Sequence, residues 1–65
     1  MTTYSNIRNN IPYKAFVERT NSINFVVRCF ENNKLVSSMV VDSESSAKYI
    51  AEDFVGPSEK RLLVE

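Results

Sequence analysis

The chain has no histidine, no tryptophan, one cysteine, one glycine and two prolines among its 65 residues. Each shortage removes a class of function. Without histidine, neither a Ser–His nor a Cys–His nucleophile pair can be built. One thiol and no imidazole cannot complete a tetrahedral zinc cage. Cys29 has no second cysteine to bridge to, which suits a reducing compartment. Gly56 is the sole glycine, so a Gly-rich phosphate loop is excluded. No apolar run approaches the roughly 18 residues of a membrane span, and the opening Met1-Thr2-Thr3-Tyr4-Ser5-Asn6 lacks the apolar core of a signal peptide. The expectation is a cytoplasmic protein with no metal or cofactor, no membrane contact and no catalytic activity. A chain this short is also poorly able to wall off a substrate pocket.

What is present is ordinary for a small globular domain: 43% hydrophobic and 25% charged residues, with a net charge of zero. The charge is unevenly placed. Residues 1–41 carry five basic side chains (Arg8, Lys14, Arg19, Arg28, Lys34) against two acidic ones, and residues 42–65 carry three basic against six acidic. A general nucleic-acid binder would hold a larger excess of Lys and Arg. At this length a single hydrophobic core leaves the monomer marginal, so a partner or a second copy would add stability.

Residues 1–12 are rich in Asn, Thr and Ser with isolated Ile7 and Ile11 before Pro12, and read as a flexible N-terminal arm. Residues 13–65 then read as one domain. Tyr13 to Thr20 is a β-type run, Asn21-Ser22 a turn, and Ile23 to Phe30 the strongest strand. Asn32-Asn33 suits the positive φ angles of a tight hairpin, and Leu35 to Val41 returns as its second arm. Asp42 to Ser46 supplies N-cap residues and early acids. Ala47, Ile50, Ala51 and Phe54 then fall on one helical face over about 44–55, and Gly56-Pro57 ends it. Ser58-Glu59-Lys60 is a link, and Arg61 to Val64 a possible last strand. The predicted fold is α+β: a small antiparallel sheet of three or four strands with one amphipathic helix on one face, in the order β-β-β-α with an optional C-terminal strand.

A two-residue Asn32-Asn33 loop sets a register. It places Phe30 opposite Leu35, Arg28 opposite Ser37, Val26 opposite Met39 and Asn24 opposite Val41. The core face would then hold Ile23, Phe25, Val27 and Cys29 opposite Asp42, Val40, Ser38 and Val36, with Tyr13, Ala15 and Val17 beside them. The other face would hold Phe16, Val26, Phe30, Leu35 and Met39, interleaved with Lys14, Asn24, Arg28 and Ser37. Half-solvated antiparallel sheets usually show cleaner polar alternation, and an exposed apolar cluster of this size marks an interface. Phe16, Val26, Arg28, Phe30, Leu35 and Met39 are therefore the candidate interface residues.

Other candidates have plainer readings. Cys29 falls mid-strand on the predicted core face and reads as a buried structural thiol. Asp42, Glu44 and Ser46 are spaced like the start of a calcium loop, but the position that needs glycine is Ala47, so a capped helix start accounts for them better.

The stretch Phe25–Phe54, with its run from Met39 through Asp42-Ser43-Glu44-Ser45-Ser46 into the helix, resembles small accessory proteins of bacteriophages infecting marine cyanobacteria. The resemblance covers about half the chain and carries no diagnostic motif. It implies a viral accessory protein working in the host cytoplasm and transfers no site residues. The functional expectation is a protein–protein interaction module that binds a larger partner and associates with itself, through the open face or a free strand edge. The alternative is a nucleic-acid-binding module in which the aromatic and basic residues of the same face stack single-stranded bases.

Overall fold

The computed structural model describes residues 1–56 and, for the backbone, 62–64. The elements run β1 (Thr2–Arg8), β2 (Ile11–Arg19), β3 (Phe25–Glu31), β4 (Lys34–Val41), α1 (Glu44–Val55) and β5 (Leu62–Val64). The fold is α+β: an antiparallel sheet in the order β4-β3-β2-β1-β5, with the helix across one face. The predicted helix is found at the expected residues. The predicted link at 58–60 lies outside the described residues.

Two tight turns build the first four strands. Arg8 pairs with Ile11 across Asn9-Asn10, and Glu31 pairs with Lys34 across Asn32-Asn33. All four asparagines have positive φ, at 53° and 66° in the first turn and 53° and 67° in the second. Left-handed φ at both central positions is what a type I′ turn needs to match strand twist, and Asn tolerates it better than other non-glycine residues. Between β2 and β3 the loop is held by Asn21, whose Oδ1 accepts the N–H groups of Ile23 and Asn24, each at 2.9 Å. Ile23 therefore sits in this loop, 64% exposed, rather than on the expected core face.

The N-terminal segment departs most from expectation. Residues expected to form a flexible arm form β1 and its turn, paired with β2 from Thr2↔Val17 to Arg8↔Ile11. Their polar composition is consistent with a strand because only alternate side chains face the core. Tyr4 and Asn6 point inward and are each 2% exposed, while Ile7 is left outside.

The β3–β4 pairing begins as predicted, with Phe30 opposite Leu35, and then slips by one residue. Val36 has no partner on β3; Cys29 lies opposite Ser37, Arg28 opposite Ser38, Val27 opposite Met39, Val26 opposite Val40 and Phe25 opposite Val41. This bulge reverses the facing of β4 relative to the expected register. Ser37, Met39 and Val41 now share the helix side, and Ser38 and Val40 share the open side. The reversal has a physical benefit. Without it Asp42 would face the core beneath the start of α1; with it Asp42 is exposed and half-buried Val41 packs against the core.

The core joins Tyr4, Ala15, Val17, Phe25, Val27 and Cys29 of the sheet to Ala47, Ala51 and Val55 of the helix, ringed by Tyr13, Val41, Ile50 and Phe54. Small residues on both sides, Ala15 below and Ala47 and Ala51 above, permit a close helix–sheet approach. Ser43 caps the helix start, its hydroxyl accepting the Ser46 N–H at 3.1 Å. At the other end, β1 supplies the cap. Asn6 donates from Nδ2 to the Val55 carbonyl at 2.7 Å and accepts the Ile7 N–H at 2.9 Å. Arg8 donates to the Phe54 carbonyl at 3.1 Å. The last turn of α1 contains no basic residue of its own, so Arg8 brings the cation that the C-terminal dipole favours.

Candidate interaction surface

The strand pairings place Thr3, Ser5 and Ile7 of β1, Lys14, Phe16 and Glu18 of β2, Val26, Arg28 and Phe30 of β3, and Leu35, Ser38 and Val40 of β4 on the face away from the helix. No described element packs over it. Lys14, Phe30 and Leu35 form one row across the sheet, Phe16, Arg28 and Ser38 the next, and Glu18, Val26 and Val40 the third.

Diagonal contacts knit these rows together. The Phe16 and Phe30 rings meet edge to face, with centroids 5.4 Å apart and planes at 85°. Arg28 Nη1 lies 3.0 Å from Glu18 Oε1, with both side chains nearly half exposed. Such a pair is worth little to stability in water. It does cancel much of the positive charge at the centre of the face. Phe16, Val26 and Phe30 are half-buried; Leu35 is 55% and Val40 64% exposed. The apolar surface is thus a band from Leu35 through Phe30 to Phe16, flanked by Val26 and Val40.

Five of the six expected interface residues, Phe16, Val26, Arg28, Phe30 and Leu35, lie together on this face. Met39 does not. The bulge at Val36 puts it on the helix side opposite Val27, and Val40 takes its place. Likewise Ser38 replaces Ser37, and Asn24 belongs to the loop before β3. Ile7 also joins this face, on a strand whose polar composition reads as an arm in the sequence. The available signals were the Asn9-Asn10 pair, identical to Asn32-Asn33, and the improbability of Asp42 facing a core.

Other groupings are structural. Cys29 is 2% exposed, and burial pushes its thiol pKa above the ordinary value of 9.0, which keeps it protonated and unreactive near neutrality. Among the described residues no three His, Cys, Asp or Glu side chains are grouped to hold a metal ion. None of the described helices is long and apolar enough to cross a membrane. The Arg8 guanidinium lies 3.9 Å from the centroid of the Tyr13 ring, which in turn meets Phe54 edge to face at 5.8 Å. That cluster joins the helix end to the sheet.

The structure therefore defines a class: a small α+β domain whose sheet is covered on one face by the helix and, among the described residues, open on the other. Compared with known proteins, the chain matches no family model, no curated protein and no solved structure.

Proposed function

We propose that the chain is a small, non-enzymatic protein–protein interaction module that uses the open sheet face to bind a larger protein and that also associates with itself. In keeping with the resemblance of the stretch Phe25–Phe54, we place it among phage accessory proteins acting in the host cytoplasm. The observation that carries the reading is the apolar band of Phe16, Phe30, Leu35, Val26 and Val40 on a face that no described element covers. A lone domain of marginal size gains nothing from presenting such a band to water. The nucleic-acid alternative is weakened by the Arg28–Glu18 pair, which leaves Lys14 as the uncompensated cation among the described residues of the face.

The test compares the wild-type chain with Phe16→Glu, after circular dichroism has shown that both fold. Cross-linking in host extract should trap a protein partner on the wild-type chain and lose it in the variant. Equal trapping by both chains would contradict the reading. Salt-sensitive binding of a single-stranded oligonucleotide, abolished by Arg28→Glu, would replace it with the alternative.

A further inference from the structure

We propose that two copies of the chain join edge to edge through β4, antiparallel, in a register centred on Met39. The inference rests on the self-association in the reading above and locates it at the strand edge. One edge of the sheet is β5, a strand of only three residues that pairs with β1 across Thr3–Ser5. The other is β4. Proteins protect such edges with charges, prolines, bulges or very short strands. Here the protection covers only the beginning of the strand, at Lys34 and the bulge at Val36. From Ser37 to Val41 the strand is regular, carries no charge, proline or glycine, and contains no buried residue.

That stretch is complementary to itself. Centring an antiparallel copy on Met39 pairs all five residues: Ser37 with Val41, Ser38 with Val40, and Met39 with its own copy. Faces match, because Ser37, Met39 and Val41 share the helix side and Ser38 and Val40 the open side. Centring on Ser38 would set Leu35 of the open side against Val41 of the helix side. The ends are complementary too. Lys34 of each copy is carried to the end of the strand where the other copy presents Asp42 and Glu44, so each end of the seam joins opposite charges. The two-fold axis stands normal to the sheet, which makes the seam isologous and keeps both helices on one side. The two open faces become one continuous surface, doubling the binding face rather than hiding it.

Sedimentation across a concentration series should show a shift towards twice the 7.5 kDa of one chain, and Phe16→Glu should leave that shift intact. Met39→Cys should form a disulfide-linked dimer under oxidised glutathione, since directly opposed residues lie about 4.5–5.5 Å apart, within disulfide reach. Ser37→Cys, whose partner in this register is Val41, should not. Lys34→Asp should weaken dimerisation about fivefold, and adding Asp42→Lys should recover it. A monomer at every concentration overturns the proposal and leaves open-face binding of a foreign partner to its own assay. So does a dimer that Phe16→Glu abolishes and Met39→Cys fails to cross-link, which would place self-association on the open face. Equal cross-linking by the two cysteine variants also overturns it.

Discussion

The two hairpins begin from the same turn and end in opposite roles. Asn9-Asn10 and Asn32-Asn33 adopt nearly identical φ angles and close two-residue loops. Their outer strands share almost nothing else. β1 is mostly polar, yet it buries Tyr4 and Asn6 and delivers Asn6 and Arg8 to the carbonyls that end the helix. β4 is mostly apolar, yet none of its residues is buried. Turn chemistry sets where a chain reverses. What the returning strand can satisfy or bury then decides whether it becomes part of the core or an edge.

The sharpest way to break the comparison is to remove what docks β1. Asn6→Leu would keep the side chain's approximate size but strip partners from the Val55 carbonyl and the Ile7 N–H. The expected loss is about 3 kcal/mol, because buried polar groups left unpaired cost about 1–3 kcal/mol each. For a 65-residue domain this should be visible as a large drop in urea midpoint, and an unchanged midpoint would show that the cap does not hold the strand. Gly56→Ala comes next. Gly56 sits at φ +90°, and an added Cβ would lie 3.1 Å from Arg8 Cδ. Backbone strain of this kind costs about 1–3 kcal/mol, and the side chain it crowds is the one that caps Phe54.

Much of this architecture is legible in the sequence where local chemistry and periodicity agree. The helix is the clearest case, with N-cap residues across Asp42 to Ser46, the 47/50/51/54 stripe and Gly56 as stop; the structure picks Ser43 as the cap. The second hairpin is equally clear up to Phe30 and Leu35. Two features escape pattern reading for different reasons. β1 was hidden because its inward-facing Asn6 looks like a solvent residue until the helix carbonyl it serves is in place. The bulge was hidden because Val36, Val40 and Val41 are equally apolar, so alternation along β4 cannot say which of them face inward. Five of the six open-face residues are independent of the bulge, since Phe16, Val26, Arg28 and Phe30 lie on central strands and Leu35 precedes the slip.

Smaller effects sharpen the contrast. Ser43→Ala should cost about 1 kcal/mol through loss of the N-cap, a change at the helix end that β1 does not touch. At alkaline pH the buried thiol adds a further signature. Its pKa is raised by burial, so above about pH 9 the unfolded chain loses that proton while the folded chain retains it. The Cys29 contribution to stability is therefore complete at neutral pH and falls as pH rises through the folded value; Cys29→Ala should flatten that decline in pH-dependent urea titrations. Deleting Val36 should matter least. It removes the unpaired residue and keeps every other β3–β4 pair, so stability should move by only about 0.5 kcal/mol, as for other exposed sites. A large loss would mean that the bulge itself stabilises the edge.

Residue-resolved hydrogen exchange on the intact chain tests most directly whether β1 is a docked strand rather than an arm. The ladder amides of Tyr4 to Arg8 should exchange as slowly as those in the centres of β2 and β3, opening only with the whole domain. Exchange of Tyr4 to Arg8 at the rates of an unstructured peptide, while β2 and β3 stay protected, would contradict the account.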